Sequence, residues 1–441
     1  MTEAIVPFDQ FGNHMGISNN ALYVRGEDFA NVDADGNLSL AWLMANGMVD
    51  SFGRLRVSQP ISRIDSQFTY TLQTLIYEQI TSGSGATINH DVTERVAQLN
   101  FLNTPNGGTC YMQSYRHGYY HPGNSQQIFI TFNFRKHTPG ITKFAGYGDL
   151  TNNGIHFISN GTGFAWRILS NTSRGDQTVP QAEWNIDHLD GTGKSGINLE
   201  VGYTQIAVID LQALYVGLVR VGFDIDGKVF WCHEFRHANR TGFPYIQNAS
   251  LPLICGMTCT DTITDNMIFI CGTVRSEGAG LDEEGFTFNA VGAGTALSGA
   301  RTHILSVRPK TTFNGIVNRI NFLLESVDVV VTGNSPVFWE LCLGQAISGT
   351  TTYNDINTTH SGFEYNTAGT ISGSPVIVIG SGYVGATAQN KGTISKDVLN
   401  RYPITLDAAG AVRALGTLTL LGTGIGGNSA CQMLMNTREI R

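Results

Sequence analysis

The sequence predicts an all-β protein with two β-sandwich domains, of jelly-roll or lectin-like type, preceded by an extended N-terminal arm. Two observations support this fold class. Glycine is abundant, at 52 of 441 residues, while charged residues make up only 14% of the chain, a balance that favours turns over long amphipathic helices. In addition, short segments rich in strand-favouring residues recur between turn signals along most of the chain.

Residues 1–61 are predicted to form an arm rather than a domain. Apolar residues are irregularly spaced there, and glycines interrupt them every few positions. Such a segment buries too little apolar surface to offset roughly 1–2 kcal/mol of backbone entropy per residue, so we expect it to order only against a neighbour and to add little core stability. Near its end we predict a strand that adds to a sheet edge in a trimer or on a partner. The candidate assembly residues are Phe52, Arg54, Leu55, Arg56 and Val57.

Residues 62–275 are predicted to form the larger sandwich and residues 301–441 the smaller one. Between them, residues 276–300 are rich in Gly, Ala and acid, which is the composition of a linker or an exposed loop. The strand-like segments of the larger sandwich include 67–78, 109–115, 127–134, 163–169 and 204–210, and those of the smaller one include 303–308, 319–326, 337–343 and 415–421.

One segment contains a zinc-protease motif together with a reason to reject it. His233 to His237 read H-E-x-x-H, which on a helix would place two imidazoles beside a glutamate base. Upstream, however, apolar and polar residues alternate strictly, and Asp226-Gly227 is a typical tight-turn pair. On a strand the two histidines would be roughly 13 Å apart, too far for one zinc ion. We therefore predict a β-hairpin and no metal site.

Two glycine-rich stretches fall short of nucleotide-binding motifs. Residues 191–195, GTGKS, resemble the end of a phosphate-binding loop, but His188 stands where the motif requires a glycine. Residues 422–427 match G-x-G-x-x-G, yet only fourteen residues follow, too few for the crossover helix and the second strand. We expect both stretches to be loops and predict no cofactor.

Charge and cysteine usage narrow the function classes. A net charge of −8 argues against a nucleic-acid-binding protein, which normally presents a basic face. The seven cysteines are odd in number and scattered, which indicates core thiols in a reducing cytosol rather than a disulfide framework. The chain shows neither a signal peptide nor a membrane-length apolar run, so we expect a soluble protein without membrane insertion.

One cluster of acids and an aromatic residue suits glycan chemistry. Glycosidases use two carboxyl groups about 5–9 Å apart, and the acids Glu183, Asp187 and Asp190 lie around Trp184 in the sequence. The indole of Trp184 could stack on a sugar, or it could equally pack under the sandwich while the acids face solvent. Trp184, Asp187 and Asp190 are therefore candidate glycan contacts, and no residue is assigned a catalytic role.

Longer blocks resemble a known family. Residues 50–60, DSFGRLRVSQP, followed by Ile64-Asp65-Ser66, are similar to the D-A-F-G-R-L-R-V-S-x-P…F-D-S entry of a family of tailed-bacteriophage virion proteins. Residues 120–126 resemble its Y-x-P-G-K-S-Q block, with Asn124 in place of the usual lysine. Residues 184–196, through the H-E-F-x-H-A-N stretch, resemble its central signature, and residues 312–315 to 438–441 also follow the pattern.

This resemblance covers nearly the whole chain and implies a structural component of a phage particle. The expected protein is a non-enzymatic fibre, spike or surface protein on the tail or head, located in the virion after folding in the bacterial cytoplasm. Its expected partners are other virion proteins, copies of itself in a homotrimer, and a host-surface glycan. The alternative is a lectin-like protein that binds or cleaves carbohydrate.

Overall fold

The fold is antiparallel β-structure throughout the described chain. A computed structural model describes residues 49–57, 59–277, 285–349, 352–375, 377–387, 389–392 and 402–441, with only the backbone for 389–392. These residues contain one 3₁₀ turn, Gln181–Glu183, and no α-helix. The predicted all-β class and the β-sandwich architecture are confirmed. Of the predicted arm, residues 1–48 lie outside the described residues.

The first sandwich is built from an eight-stranded and a seven-stranded sheet. The strands are β1 (Ile61–Gln67), β2 (Tyr77–Ser82), β3 (Ala86–Asp91), β4 (Val96–Thr104), β5 (Thr109–Ser114), β6 (Ser125–Asn133), β7 (Ile141–Gly148), β8 (Gly154–Ser159), β9 (Phe164–Leu169), β10 (Gln177–Pro180), β11 (Gln205–Gln212), β12 (Val219–Ile225), β13 (Lys228–Phe235), β14 (Leu253–Cys259) and β15 (Ile263–Glu277). The larger sheet has the order β13-β12-β11-β6-β15-β4-β3, with β1 also paired to β15, and the smaller has the order β10-β9-β8-β7-β14-β5-β2.

The core of this sandwich lies between the two sheets. Strand alternation directs one set of apolar side chains inward from each sheet, as the burial of Ile128, Ile130 and Phe132 along β6 shows. Phe157 of β8 meets Phe223 of β12 edge to face, with ring centroids 4.9 Å apart. This aromatic contact joins the two sheets directly, a geometry that adds to the stabilisation from area burial alone.

The second sandwich pairs a five-stranded sheet with a six-stranded one. The strands are β16 (Phe286–Val291), β17 (Thr295–Leu297), β18 (Thr302–Pro309), β19 (Thr312–Phe313), β20 (Ile316–Val317), β21 (Asn321–Val331), β22 (Val337–Leu343), β23 (Ile347–Gly349), β24 (Asn354–Asp355), β25 (Phe363–Asn366), β26 (Gly369–Ile371), β27 (Ile377–Val384), β28 (Gln389–Gly392), β29 (Leu418–Gly424) and β30 (Ser429–Ile440). The five-stranded sheet has the order β16-β30-β21-β28, with β17 also paired to β30. The six-stranded sheet has the order β24-β25-β18-β29-β22-β27, and two ribbons, β19-β20 and β23-β26, complete the sandwich.

The linker predicted over residues 276–300 is wrong for much of that range. Residues 286–291 form β16 and residues 295–297 form β17, and both pair with β30 near the end of the chain. The Gly- and Ala-rich composition concealed a period of two in which Ala290 faces the core. Because the partner strand lies more than 130 residues away, local composition could not reveal the pairing.

The segment 67–78, predicted as one strand, is instead the end of β1, a loop and the start of β2. Phe68 turns into the core, where its ring lies 5.0 Å from that of Phe269 and 5.8 Å from that of Tyr77. Gln73 then adopts a positive φ of 50°, which breaks the extended conformation. This loop, residues 68–76, is called the β1–β2 loop below.

The two sandwiches contact each other through residues 402–413. The Thr405 hydroxyl donates to the Tyr115 carbonyl over 2.8 Å, and the Ala408 amide donates to the Glu78 carboxylate over 2.8 Å. The guanidinium of Arg413, which is buried, lies 3.9 Å from the centroid of the Tyr115 ring. Polar and cation–π contacts therefore hold this segment of the second sandwich against the first.

Candidate functional site

The histidines of the H-E-x-x-H motif lie on the predicted hairpin. Ile225 pairs with Lys228 across the turn Asp226-Gly227, whose φ angles are 55° and 81°, so the hairpin is confirmed. His233 Nδ1 accepts a hydrogen bond from the backbone N–H of Asn185 at 3.2 Å, and the Nδ1–H of His237 donates to the Gly217 carbonyl at 2.9 Å. Burial lowers the pKa of His233 to about 4. Within the described ranges, His, Cys, Asp and Glu side chains form no group of three that would suit a metal ion.

The candidate glycan contact at Trp184 is wrong, because the indole is only 2% exposed. Its ring stacks on that of Phe223 in the core, and Nε1–H donates to the Val179 carbonyl at 3.2 Å. Of the two open alternatives, packing under the sandwich is the one observed. The pattern Trp-x-x-Asp could not decide which face of the backbone the indole would take.

The acids near Trp184 organise a loop. The Asp187 carboxylate is buried and accepts the amides of Leu189 and Ser195 at 2.9 and 2.8 Å. A Cβ at Gly193 would lie 1.9 Å from Asp187, so the resemblance to a phosphate-binding loop reflects a loop wrapped around a carboxylate. Asp190 is exposed and accepts the Thr192 amide and hydroxyl at 2.9 and 2.6 Å.

The candidate assembly residues form a compact loop on the larger sheet, and the strand predicted there is not formed. Asp50 accepts the amides of Phe52 and Arg54 at 2.9 and 2.8 Å, and a single bridge joins Val49 to Leu55. These turn contacts, with Gly53 at a φ of 78°, close the backbone on itself instead of leaving an edge free. The loop over residues 49–57 is called the N-terminal loop below.

A buried polar cluster attaches the N-terminal loop to the outer face of the eight-stranded sheet. The Asp210 carboxylate, which is fully buried on β11, forms ion pairs with the Nη2 atoms of Arg220 at 2.7 Å and Arg56 at 2.8 Å. The Ser51 hydroxyl donates to the same carboxylate at 3.3 Å, and Arg56 also pairs with Glu277 at the end of β15. Arg56 therefore faces carboxylates, and the loop covers one end of this sheet face.

The other end of the same face holds a groove of about 1570 Å³. Two rows of directly opposed side chains from β1, β15, β6 and β11 form its floor, because opposed residues in neighbouring strands share a face. The β1–β2 loop forms one wall. The first row is Asp65, Thr273 and Phe129, and the second is Gln67, Cys271, Thr131 and Ile206.

The groove combines an aromatic surface with hydrogen-bonding groups. Phe129 is half-buried, and the Arg275 guanidinium carbon lies 5.3 Å from its ring centroid. Asp65 and Gln67 are exposed beside them, and Thr131 and Thr273 are partly exposed. Donors and acceptors thus lie beside a small apolar surface on the same floor, the composition of sites that bind polar ligands with a defined orientation.

The two carboxylates that line the groove, Asp65 and Asp224, are far apart. Their strands, β1 and β12, are separated by β15, β6 and β11 in the sheet. Four strand spacings amount to roughly 19 Å, whereas the carboxyl pair of a glycosidase is about 5–9.5 Å apart. These two aspartates therefore suit hydrogen bonding at opposite ends of a ligand.

The second sandwich contributes to the rim of the groove. Tyr402 and Pro403 line it, and they begin the segment that contacts the first sandwich. The sequence predicted none of the groove residues as functional, since they come from positions 62 to 403 and no local motif joins them. The sequence carries one signal for these residues, which is the period of two within a strand. In β6, for example, Phe129 and Thr131 alternate with core residues and therefore point to the outer face of the sheet.

The described parts of the chain contain no helix with the length and hydropathy that a membrane span requires.

Comparisons with known proteins find structural similarity alone. No protein-family model matches the chain, and no curated protein matches it. The β-glucanase of Bacillus licheniformis matches with a TM-score of 0.33 and 10% identity over 49% of this chain and 98% of that chain. A family 16 endo-glucanase from Bacteroides ovatus matches with a TM-score of 0.31 and 10% identity over 48% of this chain and 99% of that chain.

A carbohydrate esterase from the Shiga toxin-encoding bacteriophage phi24B also matches, with a TM-score of 0.31 and 9% identity over 50% of this chain and 100% of that chain. The expectation of a non-enzymatic protein is contradicted by these findings, since glucanases and an esterase are among the similar structures. That expectation is withdrawn. At this level of similarity the matches assign no activity to the chain.

Proposed function

We propose that this protein recognises carbohydrate through the groove on the outer face of its eight-stranded sheet. The observation that carries the proposal is the groove itself, an open surface of about 1570 Å³ lined by Phe129 and by many polar side chains. Sugar rings present apolar faces and many hydroxyls, so a site for them combines an aromatic surface with donors and acceptors.

The groove is long enough for several sugar rings in line. Asp65 and Asp224 mark its ends at roughly 19 Å across the sheet. Between them, the Gln67 amide and the Thr131 and Thr273 hydroxyls offer both donors and acceptors. An extended oligosaccharide would therefore contact more of the lining than a single terminal sugar could.

A glycan array on the purified chain tests this function, followed by calorimetric titration of each hit. We expect Gln67→Ala to weaken binding by about fivefold to tenfold, since one hydrogen bond contributes about 1 kcal/mol. Asn89→Ala is the control, because Asn89 is exposed on β3 at the edge of the same sheet and does not line the groove. The absence of any glycan ligand would refute the proposal. Product analysis of each hit then shows whether the glycan is cleaved.

A second proposal concerns location: this protein is a surface component of a tailed-bacteriophage particle, attached through its N-terminal segment. The resemblance of residues 50–60 to virion proteins implies this role. The supporting observation is that Leu55 and Val57 are 50% and 87% exposed on the N-terminal loop, while Arg56 between them is held by Asp210. The loop therefore presents apolar side chains outward from a fixed position.

Particles assembled with the intact chain and with Leu55→Ser/Val57→Ser test this attachment. We expect the double variant to keep the melting temperature of the intact chain but to be lost from particles, as measured by mass spectrometry. Val92→Ser, at an exposed apolar position outside the loop, is the control. Analytical ultracentrifugation of the free chain tests the expected homotrimer. Full incorporation of the double variant would contradict attachment through this loop.

A further inference from the structure

We propose that the groove binds a carboxylate-bearing glycan, such as one that contains uronic or sialic acid, and that Arg275 pairs with the sugar carboxylate. This inference rests on the proposed carbohydrate recognition and names the substrate class of that site. It begins with the position of Arg275 on β15, where it is exposed and lines the floor of the groove.

The ring of Phe129 holds the Arg275 guanidinium in place. The guanidinium carbon lies 5.3 Å from the ring centroid, within the range of a cation–π contact. Arginine on an aromatic ring loses less conformational freedom on binding than a free side chain, and its planar fork matches the two oxygens of a carboxylate. The site is therefore prepared for a planar anion before a ligand arrives.

Among the described residues, Arg275 makes no ion pair, although Asp65 lies on the same floor. Asp65 is opposite Thr273, two residues from Arg275, so the two side chains are diagonal neighbours at roughly 7–8 Å. In contrast, Arg56 and Arg220 at the other end of this sheet face both pair with Asp210. The charge of Arg275 is therefore available to a ligand, whereas the charges of Arg56 and Arg220 are balanced by Asp210.

The two carboxylates that line the groove fit the uncharged parts of such a glycan. The carboxylates of Asp65 and Asp224 accept hydrogen bonds from sugar hydroxyls and disfavour a second acid close to them. A glycan with one carboxylate beside Arg275 and neutral sugar rings beside Asp65 and Asp224 therefore matches the charges of these three residues. A ligand with acidic groups along its whole length would place negative charge beside Asp65 and Asp224 and does not match them.

The test compares each carboxylated oligosaccharide with its own methyl ester, which keeps the sugar rings and removes the charge. An oligogalacturonate, a glucuronate-containing oligosaccharide and a sialylated oligosaccharide are titrated in both forms against the full-length chain. We expect the acid to bind at least about tenfold more tightly than the ester, and this preference to shrink as salt is raised.

Variants assign the preference to one residue. Arg275→Gln should bring the affinity for the acid down to that for the ester, while Arg275→Lys should keep part of the preference, because lysine retains the charge without the planar fork. Arg240→Gln, at an exposed position outside the groove, should change nothing. Melting temperatures of all variants confirm that the fold is kept.

The outcomes separate this inference from the proposed function. If neutral glycans or the esters bind as tightly as the acids, and Arg275→Gln has no effect on the preference, the carboxylate inference is wrong while carbohydrate recognition stands. If neither acids, esters nor neutral glycans bind, the proposed function and this inference are both refuted.

Discussion

Individual side chains of this protein depend on long-range partners for their roles. Asp210 is fully buried and accepts from two arginines, one of them 154 residues away in the chain. Such an arrangement is costly to interrupt, since removing one partner leaves a buried charge without compensation. At this scale, the structure predicts large effects for a few polar residues and small effects for exposed ion pairs.

We expect Asp210→Asn to lower the free energy of unfolding by about 3 kcal/mol, because the neutral amide leaves Arg220 buried without its carboxylate. Urea denaturation followed by tryptophan fluorescence measures the loss. Arg54→Gln is the control, since the Arg54 side chain is exposed in its pair with Asp50 and should contribute less than about 0.5 kcal/mol. Equal effects of the two substitutions would contradict the assigned role of Asp210.

Buried histidines predict a loss of stability in mild acid. Burial, with a smaller contribution from Arg319, lowers the pKa of His117 to about 3, and burial lowers that of His303 to about 4. Below about pH 6.5 the unfolded chain binds a proton at each position and the folded chain does not, so stability is complete above pH 6.5 and declines as pH falls. The slope is about 1.4 kcal/mol per pH unit for each such histidine.

His117→Gln should therefore make the decline between pH 6.5 and 4 shallower, measured as the urea midpoint at each pH. Asn89→Ala, at an exposed position with a side chain that does not titrate, should leave the slope unchanged. A decline that is identical in both variants and the parent chain would show that other groups cause the acid sensitivity.

Secondary-structure elements follow local sequence most closely where a turn demands a particular residue. The hairpin of β12 and β13 turns at Asp226-Gly227, and Gly227 has a φ of 81° with no atom within 4 Å of an added Cβ. A side chain there would be strained by the backbone conformation alone. Elements such as β16 and β17 lack any comparable local requirement and depend on pairing with β30.

Gly227→Ala should accordingly cost about 1 kcal/mol in the free energy of unfolding. Gly163→Ala is a matched control, because an added Cβ at Gly163 also meets nothing within 4 Å but no left-handed φ is required there. That substitution should be neutral or slightly stabilising. Chemical denaturation of both variants gives the comparison, and equal costs would exclude the turn conformation as the cause.

At the scale of the whole molecule, the first sandwich, the N-terminal loop and the second sandwich jointly shape one sheet face. The loop covers the Asp210 end of that face, and Tyr402 and Pro403 from the second sandwich line the groove at the other end. The expectation that residues 1–61 add little to stability is revised for residues 49–57, whose Arg56 and Ser51 contact the buried carboxylate.

Removal of residues 1–60 should therefore lower the melting temperature of the first sandwich by several degrees, because Asp210 and Arg220 become exposed or lose partners. Removal of residues 1–46 alone keeps these contacts and should leave the transition within about a degree or two. Differential scanning calorimetry measures both. A full retention of stability after the longer truncation would restore the view of this region as a purely external arm.

The sequence by itself determined the all-β class, the hairpin at Asp226-Gly227 and the incompatibility of H-E-x-x-H with a helical zinc site. These features depend on the alternation of apolar and polar residues and on turn residues within about ten positions, where residue type directly favours one backbone conformation. Only the tertiary structure decided that Trp184 is buried, that Arg56 is bound by Asp210, and that the groove exists. The reason is physical: antiparallel sheets place residues 73 to 215 positions apart side by side, so neither burial nor charge partners can be read from neighbours in the chain.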